Sequence, residues 1–317
     1  MTARELMNLF ARSGRRTHLA GTEENGVVVA LDMEGRLFTV VNGRVVSKVD
    51  PSAILSRSSK REFQNPGGDA LWPAPEGTCF GYEYSSKAWR VPPSIYGAEW
   101  NVVSQDTDAC VVRAEIDLIN NMQVGIPCEF ERHIVLEKHG NGIRQRVREL
   151  IRYIGRRILD RTEFSLAPWS LCQFGASDTG VVRMPVPPTD EDVWDMYAPS
   201  DSQRGVKEGM YEIRVKTPQR FQVALSGNIP WLRYSDGAGC SVRRFAGVLP
   251  EGQQFIDIAD AAPDEFPAEK GVSMSVYCDP SGFVEIEACG GCPERLEPEA
   301  ELYVDVVTEF ELSENAL

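Results

Sequence analysis

Short runs of alternating apolar and polar residues dominate this chain. Residues 26–50 hold three runs rich in β-branched residues, separated by a turn at residues 33–35 and by Asn42-Gly43. Asn-Gly between such runs is typical of a two-residue β-hairpin, so the pattern predicts consecutive antiparallel strands. Similar runs recur near residues 109–118, 128–137, 211–215, 221–225, 239–245, 271–277, 283–288 and 301–311. Since no strand run alternates with a long amphipathic helix, we predict an all-β fold, a large antiparallel β-sandwich.

Other segments complete one predicted domain over residues 1–317. Residues 1–24 form a short helix and a lead-in, with Thr2 as the N-cap and Leu6, Leu9 and Phe10 as the apolar face. The periodicity of residues 143–154 fits a helix or a strand, and the Gly-Asn-Gly turn before it favours the strand. Residues 63–100 are rich in glycine, proline and aromatic residues, which predicts a long connection with a strand near 79–84. Residues 185–210 are rich in proline and acidic residues and are interpreted as an insertion with one short helix near 190–197.

Composition narrows the classes of partner and location. The 317 residues are 42% hydrophobic, enough for one large core, and the net charge is −14. This charge argues against a nucleic-acid partner and against an anionic membrane surface. No apolar stretch approaches the roughly 18 residues of a membrane span, and the N-terminus lacks the apolar core of a signal peptide. We therefore expect a cytoplasmic protein with reduced thiols, secreted only if a leader has been removed.

Cysteine spacing and standard motifs indicate no cofactor. Among eight cysteines, Cys289 and Cys292 have a C-x-x-C spacing that is compatible with buried structural thiols, a loop disulfide or a metal site. No second such pair or histidine pair completes a four-ligand zinc site. The dinucleotide-binding, P-loop, serine-hydrolase and zincin motifs are absent. We predict neither a metal nor a cofactor.

Candidate chemistry lies in the strand run near the C-terminus. Glu285 and Glu287 alternate with Val284, Ile286 and Ala288, so both carboxylates project from one face of a strand. If that face lines a cleft, repulsion between the two charges raises one pKa and suits proton transfer. The alternative is a solvated sheet face, which is the common meaning of charged alternation.

Three segments resemble the galactose mutarotase-like (aldose 1-epimerase-like) superfamily. The first segment has a strand glutamate and a Gly/Pro loop, followed by Leu296, Pro298 and Leu302. The second segment is residues 65–76, in which Gly67-Gly68 precedes Trp72-Pro73. The third segment is residues 167–171, which contains Pro168-Trp169. The resemblance implies a β-supersandwich whose concave face binds a hexose. It also implies that Glu287 is the base that takes the proton from the anomeric hydroxyl.

The resemblance also supplies candidate site residues. Catalytic candidates are Glu287 with assistance from Glu285, Glu163 or His133. Substrate-binding candidates are Trp72, Glu76, Trp89, Arg90 and Trp169. Trp72 and Trp169 either present ring faces to sugar C–H groups or fill the core, and Arg90 either binds an acidic sugar or phosphate or forms a surface pair with a glutamate. The expected ligand is a small sugar or a glycan end, and the oligomeric state is not predicted.

The chain departs from the family pattern in its histidines. Enzymes of this kind use a histidine as the acid, but His18, His133 and His139 are the only histidines and none stands at the family positions. Glu163 occupies one such position, and with a raised pKa it would pair with Glu287 as two carboxylates, the pattern of glycoside cleavage. Two functions therefore stay open: a carbohydrate-active enzyme, and a sugar-binding protein of the same fold without catalysis.

Overall fold

The structure is a computed structural model that describes residues 1–59, 61–82, 91–245 and 247–313. The helices are α1 (Ala3–Arg12), α2 (Pro51–Leu55) and α3 (Pro93–Tyr96), with 3₁₀ turns at Asp190–Asp192 and Asp201–Gln203. The first strands are β1 (Thr17–Gly21), β2 (Gly26–Ala30), β3 (Arg36–Val41), β4 (Arg44–Val45), β5 (Asp69–Ala74), β6 (Asn101–Asp106), β7 (Ala109–Ile119), β8 (Gly125–His139), β9 (Gly142–Tyr153), β10 (Leu159–Asp160), β11 (Ala167–Gly175) and β12 (Val181–Pro185). The others are β13 (Val193–Asp195), β14 (Arg204–Lys207), β15 (Met210–Arg214), β16 (Phe221–Leu225), β17 (Trp231–Ser235), β18 (Cys240–Phe245), β19 (Gln253–Gln254), β20 (Met274–Asp279), β21 (Phe283–Cys289), β22 (Cys292–Pro293), β23 (Arg295–Leu296) and β24 (Glu301–Leu312).

Two ten-stranded antiparallel sheets account for most of these strands within the described residues. The first sheet runs β1-β2-β3-β5-β11-β21-β20-β16-β13, with β4 paired to β3. The second sheet runs β14-β15-β12-β17-β18-β24-β9-β8-β7-β6. Apolar side chains from both sheets share one large core. The predicted all-β sandwich is therefore confirmed.

The two sheets differ in how many of their faces are covered. Strands of the second sheet such as β24 alternate between buried and solvent-exposed residues, as expected when one face packs on a core. In the first sheet, every residue of β16 and β21 is buried, and only the last residue of β11 is exposed. The centre of the first sheet is thus buried on both faces, and one of them packs against the second sheet in the main core.

The N-terminal helix follows the sequence prediction. Thr2 and Glu5 form a reciprocal capping box, and Leu6, Leu9 and Phe10 are buried. These side chains pack on β2 and β3 in a second, smaller apolar cluster that is separate from the main core. Among the described residues, no helix has the length and apolarity that a membrane crossing requires.

Some local predictions are confirmed by the structure, and one predicted strand is wrong. Asn42 and Gly43 both have positive φ and connect β3 to β4, as the hairpin motif predicts. Residues 142–153 form a strand and not a helix. The strand predicted near residues 79–84 is wrong for residues 79–82, which form turns and one isolated bridge, and residues 83–84 lie outside the described residues. A strand of this region is β5, which contains Pro73 and ends just before Pro75, and these prolines conceal it in the sequence.

The segment of residues 185–210 joins both sheets. The short helix predicted near 190–197 is reduced to the 3₁₀ turn Asp190–Asp192, and β13 follows it at once. β13 pairs with β16 of the first sheet, and β14 pairs with β15 of the second sheet. The segment therefore contributes an edge strand to each sheet.

A cluster of four buried charges lies between the sheets. Asp69 of β5 accepts hydrogen bonds from Arg132 of β8 at 2.9 Å and from Arg244 of β18 at 2.8 Å. Arg132 also donates to Glu149 of β9, at 2.9 Å from Nε to Oε2. The hydroxyl of Ser170 of β11 lies within hydrogen-bond distance of both carboxylates, and all five side chains are almost fully buried. The two positive charges balance the two negative ones, so the cluster carries no net charge in its low-dielectric surroundings.

We predict that the substitution Arg132→Leu destabilises the fold by about 3–5 kcal/mol, because it leaves Asp69 and Glu149 buried with one cation between them. Urea unfolding measures this loss. Arg148→Leu is the matched control, since Arg148 pairs with Asp305 on the exposed face of the second sheet and such pairs contribute about 0–1 kcal/mol. Equal losses for the two variants would contradict the prediction.

Candidate functional site

A cavity of about 380 Å³ lies on the face of the first sheet that is turned away from the second sheet. Its aromatic lining residues are Phe63, Trp72, Trp169, Tyr277 and Phe283. Its carboxylate residues are Glu76, Asp279, Glu285 and Glu287, and the other polar or charged residues are Asn65, Gln173, Arg220, Gln222 and Ser281. The volume is in the range of about 300–1,000 Å³ that is common for small-molecule sites.

The register of the central strands builds the floor of this cavity in rows. Cross-strand partners of an antiparallel sheet share one face. Pairing across β16, β20, β21 and β11 gives one row, which is Gln222, Tyr277, Glu285 and Gln173. The next row holds Ser275, Glu287 and Leu171, and in the row after it Trp169 pairs with Trp72 of β5. The floor thus places two carboxyl groups between amides and indole rings.

Glu287 lies at the bottom of the cavity and is 1% exposed. Its Oε2 accepts hydrogen bonds from Trp169 Nε1 at 3.0 Å, from Gln222 Nε2 at 2.9 Å and from the hydroxyl of Ser275. Its Oε1 is shielded from solvent and has no hydrogen-bond partner among the described residues. One carboxyl oxygen is therefore fully occupied, and the other is buried without a partner among the described residues.

Glu285 lies nearer the cavity mouth and is 8% exposed. Its Oε1 accepts a hydrogen bond from Gln173 Nε2 at 2.6 Å, and the Oε1 of Gln173 is itself buried without a partner in the described structure. The charges of Arg36 and Lys48 favour the ionised form of Glu285, whereas Asp279 opposes it. Glu285 thus has cations in its surroundings.

Burial shifts both carboxyl groups toward the protonated form. Loss of hydration raises the pKa of Glu285 to about 7. Burial raises the pKa of Glu287 well above its usual range; the nearby charge of Glu285 adds to this rise, and hydrogen bonds from Ser275 and Trp169 oppose it. The floor therefore holds two carboxyl groups whose pKa values are both raised, that of Glu285 to about 7, and general acid-base chemistry uses groups of this kind.

Aromatic rings form one wall of the cavity. The rings of Trp72 and Trp169 meet edge to face with their centroids 6.3 Å apart, and Phe63 packs on Trp72 at 5.9 Å. Trp72 Nε1 donates to Glu34 at 2.7 Å, and Glu34 also pairs with buried Arg36 at 2.9 Å. This pairing fixes the orientation of the Trp72 ring.

A cation lies at the opposite rim. Arg220 stacks over the ring of Tyr197 at 4.3 Å and lies 3.4 Å from the carboxylate of Asp260. Burial raises the pKa of Tyr277, whose hydroxyl donates to Asp279 at 2.8 Å. The rim thus combines the cationic guanidinium of Arg220 with a tyrosine hydroxyl that is already bonded to Asp279.

Several predicted site residues meet in this cavity. Glu285, Glu287, Trp72, Trp169 and Glu76 all line it. Trp89 and Arg90 lie outside the described residues.

Two candidates lie elsewhere. Glu163 is in the loop before β11, is paired with Arg157 at 2.7 Å and does not line the cavity. Its pKa is lowered by the Arg157 hydrogen bond, which corrects the idea of a raised pKa and of a partner for Glu287. His133 lies on β8 with its side chain 40% exposed beside Glu131, on the outer face of the second sheet. The cause is alternation, since Arg132 faces the core and its neighbour must then face outward.

The cysteine pair at the end of β21 has no bond between its thiols. Cys289 and Cys292 are both free and buried. Within the described part of the chain, no group of three or more metal-binding side chains is found. These observations fit the structural interpretation of the two thiols.

Sequence analysis did not identify several residues of the floor and rim. Gln173, Gln222 and Ser275 are buried at 2% or less, although each sits alone in an apolar run. A polar residue inside a strand that is buried on both faces is the signal that could have found them, since such a group needs a hydrogen-bond partner. Arg220 precedes β16 in a polar turn and carried no distinguishing pattern.

Comparison with known proteins agrees with this architecture. The chain is similar to the structure of a galactose mutarotase-like protein from Lactobacillus casei, with a TM-score of 0.57 and 10% identity over 94% of this chain and 100% of that one. It is also similar to a proposed aldose 1-epimerase from Klebsiella pneumoniae, with a TM-score of 0.50 and 9% identity over 93% of this chain and 79% of that one. No protein-family model and no curated protein matches the sequence.

These likenesses define the class as an all-β sandwich of large antiparallel sheets. More particularly, the chain has the galactose mutarotase-like fold, as its motifs indicate. At 9–10% identity the likeness concerns the fold alone.

The raised pKa of Glu285 predicts a pH dependence of stability. Its folded-state pKa of about 7 exceeds the ordinary 4.5, so the folded state holds the proton more tightly. The stabilisation is present below about pH 4.5 and is lost as the pH rises through about 7. The stability of the wild type relative to Glu285→Gln should therefore fall over this interval, by up to about 3 kcal/mol at about 1.36 kcal/mol per pKa unit.

Urea unfolding at the two ends of this interval measures the difference. Glu163→Gln is the control, because Arg157 lowers the pKa of Glu163 from its ordinary 4.5, so the contribution of Glu163 is already present above about pH 4.5 and should change little over this interval. A relative stability of Glu285→Gln that does not change with pH would contradict the prediction.

Proposed function

We propose that this chain binds an aldose in the cavity of the first sheet and interconverts its two anomers, with Glu287 as a proton-transferring residue. The observation that carries the proposal is the cavity floor. It combines two indole rings with two buried oxygens, Glu287 Oε1 and Gln173 Oε1, that have no partner among the described residues.

The chemistry of these groups suits a sugar. Indole rings offer apolar faces to the C–H groups of a pyranose ring. Hydroxyl groups both donate and accept, so they satisfy the unpaired oxygens of the floor whichever way the protons point. Leaving such polar groups buried without a partner costs about 1–3 kcal/mol each, which ligand hydroxyls would recover.

Anomer interconversion needs proton transfers at the two oxygens bonded to the anomeric carbon, together with breaking and re-forming of the ring C–O bond. A base takes the proton of the anomeric hydroxyl, and an acid gives a proton to the ring oxygen, so that the ring opens and closes again. Glu285 and Glu287 supply two titratable groups on one cavity floor. Glycoside cleavage by Glu163 and Glu287 loses its support, because Glu163 lies outside the cavity.

Sugar binding without catalysis is the second candidate. None of the three histidines, all of which lie in the described part of the chain, lines the cavity. The enzymes that the sequence resembles use a histidine as the acid, so this difference favours the candidate. The two experiments that follow separate the two functions.

We expect the wild type to accelerate the optical-rotation change of freshly dissolved D-glucose or D-galactose, measured by polarimetry. Glu287→Gln should lower the rate about 100-fold or more, because general acid-base groups contribute about 10²–10⁴-fold. Glu163→Gln, a matched change outside the cavity, should keep the wild-type rate. If the wild type does not exceed the rate in buffer, anomer interconversion of these sugars is excluded.

We also expect a sugar from a panel of hexoses and uronic acids to raise the melting temperature. A ligand that binds only the folded state adds about 2.7 kcal/mol at 100 times its Kd. Trp72→Leu should reduce the shift, and Trp231→Leu, outside the cavity on β17, should keep it. A shift without mutarotation would support the binding candidate, whereas a flat response across the panel would count against both.

A further inference from the structure

The two carboxyl groups of the floor have unequal hydrogen-bond surroundings. All three donors near Glu287 reach Oε2, and Oε1 has neither a donor among the described residues nor contact with solvent. An ionised carboxylate spreads its charge over both oxygens and needs donors on both. An ionised Glu287 would therefore leave half of its charge on an oxygen that nothing stabilises, which is costly in a buried site.

A protonated Glu287 fits the same contacts without this cost. Its carbonyl oxygen at Oε2 accepts the three hydrogen bonds, and its hydroxyl at Oε1 is neutral, so no unstabilised charge is left on that oxygen. Three hydrogen bonds by themselves favour an ionised carboxyl group. Here they come from neutral groups and converge on one oxygen, and the nearby charges of Glu285 and Glu76 disfavour a second negative charge.

Glu285 has surroundings that suit the ionised form. Arg36 and Lys48 both favour its negative charge, and Gln173 donates to its Oε1. Asp279 is the charge that opposes it, and the hydroxyl of Tyr277 donates to that aspartate. When only one of the two neighbouring glutamates is ionised, the negative charge is therefore more stable on Glu285.

We infer that Glu287 is the proton donor of this site and that Glu285 is the proton acceptor, the reverse of the role that the sequence resemblance gives to Glu287. The reaction in which they act rests on the proposed function, but the position of the proton does not. In this arrangement two glutamates of one strand replace a glutamate and a histidine.

The spacing of the two residues suits adjacent oxygens of one sugar. Residues two apart on a strand are about 6.8 Å apart, twice the rise of about 3.4 Å per residue. Hydrogen bonds of about 2.7 Å from each carboxyl group can therefore converge on the anomeric hydroxyl and the ring oxygen, which are bonded to the same carbon.

The proton transfers balance. Glu285 takes the proton of the anomeric hydroxyl, the bond from the anomeric carbon to the ring oxygen breaks with its electron pair going to oxygen, and Glu287 gives its proton to that oxygen. The product is the open-chain aldehyde. Rotation of the carbonyl and reversal of these steps form the other anomer and return both glutamates to their starting states, so no further reactant is needed.

Infrared difference spectroscopy of the full chain without sugar tests the position of the proton. Near pH 8, Glu285 is mostly ionised, since its pKa is raised to about 7. We expect the wild type to show the C=O stretch of a protonated carboxylic acid that Glu287→Gln lacks, whereas Glu285→Gln and the exposed control Glu163→Gln keep it. The inference would be overturned if the band is lost in Glu285→Gln and kept in Glu287→Gln. It would also be overturned if neither variant changes the band.

A second measurement covers the event that a variant is misfolded. The rate of D-glucose or D-galactose mutarotation by the wild type should rise about tenfold between about pH 6 and about pH 8, as Glu285 ionises. Glu285→Gln should lose this rise. A rise that persists in Glu285→Gln would assign the base to another residue.

The two experiments also separate the inference from the function. If no sugar is interconverted but the infrared band behaves as described, the position of the proton stands and the proposed function fails. If mutarotation occurs and the band depends on Glu285, the function stands and the assignment of the two roles fails.

Discussion

The buried ion cluster between the sheets is the constraint on which the rest of the structure depends. Asp69 and Ser170 bind Arg132, Glu149 and Arg244, which belong to three strands of the opposite sheet. Removing any one charge would leave the others uncompensated at low dielectric, so the register of the two sheets is fixed at this point. The strands that carry Asp69 and Ser170 also carry Trp72 and Trp169 on their other face. The cluster that holds the sheets together therefore also positions the cavity wall.

Covering both faces of the first sheet gives the site its chemistry. On a half-exposed sheet, Glu285 and Glu287 would be hydrated carboxylates with ordinary pKa values. In the folded chain both side chains are almost fully buried, and this loss of hydration raises both pKa values. The amides and the indole N–H groups of the floor then decide which oxygen is occupied and which is free. Desolvation, more than the identity of the residues, separates this pair from the many acidic pairs on the outer strands.

The proposed function assigns both proton transfers to carboxyl groups, because none of the histidines lines the cavity. The family pattern requires two titratable groups of different pKa near one sugar ring. Here the difference arises between two residues of the same type, because Arg36 and Lys48 lie near Glu285 while neutral donors and acidic neighbours surround Glu287. The histidines lie elsewhere; His133, for example, contacts Glu131 on the solvent face of the second sheet. Position in the sheet thus matters more for the role of a residue than its chemical type.

The sequence by itself determined the fold class, the N-terminal helix, the Asn42-Gly43 hairpin and the shared face of Glu285 and Glu287. These features follow from periodicity, caps and turns, which are local in the chain. Only the tertiary structure decided that this face lines a cavity, that Gln222 and Ser275 come from neighbouring strands to meet Glu287, and that Glu163 lies apart. The physical reason is that burial and cross-strand register depend on contacts between residues about 12 to 118 positions apart. A pattern of alternating residues states which side chains share a face, but not which face loses its water.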